Sequence, residues 1–154
     1  MPRERELKTE IWLDGPIERV FEFFSNAENL ELLTPPWINF KIVTPRPIEM
    51  RAGTLIDYRL KIRGFPAKWR TLISAWEPPH RFVDEQLKGP YAQWIHEHTF
   101  ESKNGGTLVT DRVRYKVPFD FLVHRFFVQR DLDQIFAFRR QALQKMNWRP
   151  SSSS

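Results

Sequence analysis

Apolar and polar positions recur with two different periods along this chain. "LKTEIWL", Leu7 to Leu13, is a short run that predicts a strand. Ile17, Val20, Phe21 and Phe24 then fall at helical spacing. Asp14 or Gly15 can cap that helix, with Pro16 near its first turn and Glu18 favourable to its dipole. "AENLELL" predicts a second short helix, ended by Thr34-Pro35-Pro36 because proline cannot continue the hydrogen-bond ladder. From Phe40 the period drops to two. "FKIVT", "GTLIDYRLKI", "AKWRTLISAWE", "RFVDEQ", "AQWIHEHTFE" and "TLVTDRVRYKV" predict six further strands in series. Most are joined by tight turns: Gly64-Phe65-Pro66, Pro78-Pro79-His80, Lys88-Gly89-Pro90 and the hairpin signal "KNGG". An antiparallel meander follows.

After Pro118 the helical period returns and runs without Gly or Pro through residue 148. Phe121, Val128, Leu132, Ile135, Phe136, Leu143 and Met146 form one stripe on it. The simplest packing is an α+β domain. A curved antiparallel sheet of about seven strands wraps around a long C-terminal helix, with two short helices after the first strand. Residues 1–149 are expected to form this single domain and 150–154, mostly serine, a disordered tail.

Parity selects the candidate chemistry. On a strand alternate residues share a face, so Trp94, His96, His98 and Phe100 project together. That set holds two large aromatics, which makes it the inner face, and it contains two of the chain's four histidines. If "LKGP" closes one hairpin, Phe82, Asp84 and Gln86 face inward opposite His98, His96 and Trp94. If "KNGG" closes the next, Val109, Asp111, Val113 and Tyr115 form an inner set, with Asp111 near His98. A one-residue slip would undo both registers. Arg139 falls within the apolar stripe of the long helix, between Phe136 and Leu143, and so turns toward the sheet. Tyr58 and Trp69 fit the same inner wall. Leu33, Pro35, Pro36 and Trp37 form either a semi-rigid gate over a cavity or a plain turn from helix to sheet.

Composition narrows the function classes. Aromatics are abundant (thirteen Phe, six Trp, three Tyr), enough to line an apolar cavity as well as fill a core. Net charge is +5, but basic and acidic residues interleave, as in "PRERELK" and "RVRYK". No cluster of cations and no nucleic-acid partner are expected from that mixing. Cysteine is absent, which removes disulfides, thiolate nucleophiles and Cys-ligated metals. No apolar run spans a bilayer and "MPRERELK" lacks the apolar centre of a signal peptide, so the expected address is cytoplasmic with no stable membrane insertion. Ser25, Ser74 and Ser102 sit in no nucleophile motif, and no phosphate loop or dinucleotide fingerprint is present.

"IERVFEFFSNAENLELLTPPW", "FVDEQLKGPYAQWIHEHTFE" and "GGTLVTDRVRYKVPF" together resemble the SRPBCC, or START-like, helix-grip superfamily. That superfamily includes START lipid-transfer domains, the birch-pollen-allergen type and polyketide cyclases. Within it the chain is most similar to a bacterial ligand-binding-type subfamily. The resemblance implies a deep apolar pocket under the C-terminal helix and binding or processing of hydrophobic molecules, without fixing one reaction. One position departs: Asp120 stands where the family pattern has glycine after Pro-Phe, and an aspartate there can cap the helix.

The expected ligand is a small hydrophobic or amphipathic molecule; a protein partner is left open. Its site is drawn from Tyr58, Trp69, Phe82, Asp84, Gln86, Trp94, His96, His98, Phe100, Asp111, Tyr115, Phe136 and Arg139. The polar members either orient a ligand or catalyse. In the catalytic alternative, a cyclase or dehydratase, His96 or His98 moves a proton with Asp111 or Asp84 as its partner, since histidine titrates near neutral pH. A protein–protein module, using the basic surface and the "PPW" loop, is a third class. His-X-His with an aspartate also matches zinc or iron ligation. That spacing is weakly specific and the resembled superfamily is not mainly metal-binding, so no metal and no cofactor are expected.

Overall fold

The computed structural model describes residues 3–118 and 127–149. Seven strands, β1 (Arg5–Leu13), β2 (Lys41–Ile42), β3 (Leu55–Ile62), β4 (Phe65–Glu77), β5 (Arg81–Lys88), β6 (Gln93–Lys103) and β7 (Gly106–Lys116), make one antiparallel sheet. Their order is β1-β7-β6-β5-β4-β3-β2, so the first strand closes onto the last and β2 forms the far edge. Helix α1 (Ile17–Phe24) follows β1, and helix α2 (Gln129–Lys145) lies against the inner face of the sheet. This is the helix-grip arrangement, and no described helix is long and apolar enough to cross a membrane.

Local chemistry sets most boundaries. The hairpins turn on Arg63-Gly64 and Asn104-Gly105, where both residues of each pair take positive φ. That mirror-image turn matches the twist of the flanking strands and favours Asn-Gly. At the first hairpin the turn is one residue earlier than "GFP" suggests, and Phe65 and Pro66 already belong to β4, paired with Ile62 and Lys61. Helix α1 starts at an extended Pro16 with no side-chain cap, not at Asp14 or Gly15. Gly15 serves a different purpose: a Cβ there would meet the Cβ of Trp148 at 2.4 Å and its carbonyl oxygen at 2.5 Å. Only glycine lets the C-terminal segment close over this corner. The "AENLELL" helix is a single 3-10 turn, Ala27–Glu31, opened by the Asn26 side chain accepting from the Glu28 N–H. The "FKIVT" strand shrinks to Lys41–Ile42.

Val128, Leu132, Ile135 and Phe136 of the predicted stripe pack with Val113, Tyr115 and Val117. Leu143 packs with Phe21, Phe24 and Val109, and Met146 does so just beyond the helix end. Phe121, the Asp120 cap and the tail at 150–154 lie outside the described residues. On the outer face of the sheet, β3 and its neighbours place Lys41 opposite Arg59 and Arg59 opposite Lys68. The charge that looks dispersed along the chain is therefore gathered in space at this edge.

Candidate functional site

β5, β6 and β7 lie side by side with Phe82 opposite His98, Asp84 opposite His96, and His98 opposite Asp111. All these side chains share the inner face. The packing of α2 adds Arg139 from above. The result is a buried polar cluster of two histidines, two aspartates and one arginine. His98 is 1% exposed, Asp111 3% and Arg139 7%.

The partners interleave. Asp84 Oδ2 lies 2.6 Å from His98 Nε2 and 3.9 Å from His96 Nδ1. Asp111 Oδ1 lies 2.8 Å from His96 Nε2 and 3.3 Å from His98 Nδ1. Arg139 grips the same carboxylate with both edges of its fork, Nε to Oδ2 at 3.2 Å and Nη2 to Oδ1 at 3.1 Å. The two imidazoles stack at 3.7 Å, and Phe82 stacks on His98 at 4.0 Å, which makes a three-ring column across β5 and β6. The Arg139 guanidinium also faces the Phe24 ring at 5.2 Å.

Burial opposes every charge here, so the charges that survive are those with partners. Burial works to raise the Asp111 carboxyl, but Arg139 and then the two histidines hold it well below the usual carboxylate range. Asp84 is likewise raised by burial and lowered further by His96, His98 and Arg139, ending below its ordinary value. Burial and the charge of His98 push His96 down, outweighing the two aspartates. For His98 burial is overcome by Asp111 and Asp84, and its value rises. The directions order the two rings, His98 holding a proton more readily than His96; with His98 protonated and His96 neutral, the two carboxylates and the guanidinium bring the cluster to zero net charge. An ionised carboxylate only accepts, so His96 donates Nε2–H to Asp111 and keeps a lone pair on Nδ1. His98 donates Nε2–H to Asp84, while its Nδ1 makes no hydrogen bond.

Donor atoms of Asp84, His96 and His98 lie within 4.8 Å of one another, close enough for a cation. The stack argues against one. Rings that are 23° from parallel at 3.7 Å direct their lone pairs side by side instead of converging on a point. An ion would also have to break the Asp84–His98 bond and enter beside Arg139.

A cavity of about 460 Å³ opens above this cluster. Its walls are Tyr58, Leu60 and Trp69 from β3 and β4, Trp94 from β6, and Leu132 and Phe136 from α2; its floor includes Asp84, His96, His98 and Arg139. The exposed lining residues Trp37, Arg63, Gly64 and Gln134 mark the mouth, between the Pro36–Ile38 turn, the β3–β4 hairpin and α2. Arg63 is tied there to Asp131 (Nη2–Oδ1 2.9 Å, Nε–Oδ2 3.1 Å) and lies over the Phe127 ring at 4.6 Å. Pro35 and Leu33 are buried, while Trp37 is 59% exposed with its ring edge toward Phe138.

Nine of the thirteen site residues expected from the sequence therefore line the cavity: Tyr58, Trp69, Phe82, Asp84, Trp94, His96, His98, Phe136 and Arg139. Four do not. Gln86 pairs with Thr71 instead of Trp94, because the β5–β6 ladder ends at Glu85–Ile95. Its amide instead clasps the loop, donating to the Tyr91 carbonyl and accepting from the Tyr91 N–H. Phe100 packs with Phe21 and Phe24, and Tyr115 with Phe136 and Leu132, both inside the core. Asp111 stands behind the histidines and reaches the cavity only through them. The Arg63 mouth was missed, since a hairpin turn and a helix residue far along the chain carry no shared periodic signal. Tyr91 was also missed; it packs its ring on Trp69 and Trp94.

Residues 13–143 match the family model described as polyketide cyclase / dehydrase and lipid transport, and the chain belongs to that family. It is thereby a member of the helix-grip superfamily. No curated protein matches it. Among solved structures it is similar to a nucleoside-diphosphate sugar epimerase from Corynebacterium glutamicum (28% identity, TM-score 0.65), over 89% of this chain but only 28% of the epimerase. A protein from Chromobacterium violaceum superposes with TM-score 0.71 at 15% identity, covering 90% of this chain and 94% of that one. The major latex-like protein of Panax ginseng gives 0.66 at 12% identity, over 91% and 95%. The last two show the shared fold alone.

Proposed function

We propose that the protein binds a small hydrophobic or amphipathic molecule in the cavity between sheet and α2, with the polar end of the ligand on the Asp84–His96–His98–Arg139 floor. The observation that supports this best is the pairing of an aromatic-walled cavity with a buried, charge-balanced polar floor. Apolar walls supply affinity at about 25 cal/mol per Å² removed from water, and a few convergent polar groups supply orientation. The test is native mass spectrometry of the protein from its source, with extraction and identification of the bound fraction. A reproducible small molecule that is lost when Trp94→Ala and His96→Ala are combined supports the reading. An empty protein that also takes up no anilinonaphthalene sulfonate sinks it.

A second reading rests on one specific observation, the His96 lone pair. Its Nε2–H is committed to Asp111, which Arg139 holds, so Nδ1 is the free base at the cavity floor. His98, carrying a proton beside it, complements that base as an acid. A ligand with a proton alpha to a carbonyl would then be enolised, as cyclisation or dehydration requires. On this reading His96→Gln lowers turnover by about two to four powers of ten while binding persists. Equal turnover in that variant removes the catalytic reading and leaves the binding one.

A further inference from the structure

The outer face of the β2–β3–β4 edge differs from the rest of the sheet. On β5 to β7 its arginines are paired: Arg112 with Glu6 at 3.2 Å, Arg114 with Glu4 at 3.9 Å, and Arg81 with Glu97 at 2.7 Å. At the edge, Lys41, Arg59 and Lys68 stand directly across from one another in one row, and Lys61 follows two positions along β3. Among the described residues these four exposed side chains make neither an ion pair nor a hydrogen bond. The next row holds Arg70 opposite Lys88, and its one carboxylate, Asp57, is taken by Arg70 at 2.8 Å. Like charges directly opposite on a sheet destabilise it, so such a row is kept against the fold's own interest.

The hairpin that carries the row ends in Phe65, which at 76% is the most exposed large apolar side chain in the described chain. Its turn, Arg63-Gly64, also borders the cavity mouth, where Trp37 is exposed. By alternation Phe65 stands with Ile62 and Trp69 on the cavity side of the hairpin, and Lys61 and Lys68 on its other side, so the hairpin tip carries a ring and cations together, which is the chemistry of an anionic lipid surface: the cations meet headgroups and the ring enters the boundary beneath them. A nucleic-acid duplex would match the charge but offers Phe65 no apolar layer to enter.

We infer that the β2–β4 edge docks the protein on an anionic membrane surface, through Lys41, Arg59, Lys61 and Lys68 with Phe65 as the inserted side chain, and sets the cavity mouth against the bilayer. This goes beyond occupancy of the cavity and stands on the exposed side chains of this edge and its hairpin tip. Sedimentation with vesicles of phosphatidylcholine, alone or mixed with phosphatidylserine, tests it. The expected result is binding to the mixed vesicles only, weakened by salt. Replacing Lys41, Arg59 and Lys68 together by glutamine should lower it about a hundredfold. Phe65→Ser should lower it several-fold without changing the salt slope, and Arg112→Gln, on the paired part of the same face, should leave it unchanged. Equal binding by the triple variant, or no vesicle binding at low salt, overturns the inference; capture of duplex nucleic acid through the same lysines in place of vesicles assigns the edge to that partner. Uptake of anilinonaphthalene sulfonate, measured on every variant, separates this outcome from failure of the cavity reading, and near-UV circular dichroism confirms that each variant is folded.

Discussion

Two arginine–carboxylate pairs connect α2 to the sheet with nearly the same geometry. Arg139 binds Asp111 at 3.1 and 3.2 Å, and Arg63 binds Asp131 at 2.9 and 3.1 Å. Their surroundings differ. The first pair is under a tenth exposed on either side chain, whereas the second is 45% and 30% exposed. Distance therefore says little about what each pair contributes. The buried one cannot fall back on water if a partner is lost, and the exposed one can.

The largest expected effect is at the buried pair. Asp111→Ala leaves the buried Arg139 without its carboxylate partner, and should cost about 3–5 kcal/mol in urea unfolding. A double variant with Asp111 and Arg139 both replaced by leucine should recover much of that loss. If the single and double variants unfold alike, the penalty is a packing effect and the comparison with the exposed pair fails.

The next effect is in pH. Asp84 and Asp111 have folded values below their unfolded ones, so their stabilisation is present above pH ~4 and is lost as pH falls through the lowered values. His98 runs the other way: raised on folding, it stabilises fully below pH ~6.5, and that contribution is lost as pH rises through its higher folded value. His96, lowered on folding, costs stability as pH falls below ~6.5. Urea midpoints of the wild type and of His98→Phe across this range check the signs. The variant should lack the decline on the alkaline side; a decline of the same size in both assigns it to another group.

The smallest effect on stability is at the mouth. Asp131→Asn should cost less than about 1 kcal/mol, because the pair is exposed and screened. It should nevertheless speed exchange of an apolar probe with the cavity, measured by stopped-flow fluorescence. Unchanged exchange would show that Arg63 and Asp131 do not limit access.

How far the chain could be read follows from the range of the forces involved. The strands from β3 to β7 alternate cleanly and are joined by short turns, and a two-residue turn such as Asn104-Gly105 leaves little freedom of register. That is why Phe82, Asp84, His96, His98 and Asp111 were found on one face with the right neighbours. Gln86 was misplaced because parity carries no warning of where a ladder stops, and the β5–β6 ladder ends at Glu85–Ile95. The 3-10 turn at Ala27–Glu31 read as helix because the two differ in hydrogen bonding more than in composition. Lys41, Arg59 and Lys68 were illegible as a group, since lateral pairing of three strands brings them together and no local pattern encodes it. The sequence resemblance and the family match agree on the fold, but the chemistry of the floor is read from these particular residues.

With His98 protonated and His96 neutral the floor carries no net charge, and that has a consequence for proton accounting. A neutral ligand can enter without disturbing it, and the heat of binding should then be the same in buffers of different ionisation enthalpy. A ligand that brings a carboxylate adds one negative charge beside Asp84, and His96 is the group placed to take up a proton in response. Calorimetry in two buffers would count that proton directly, and so would distinguish an acid from an alcohol or ketone before the ligand has been identified.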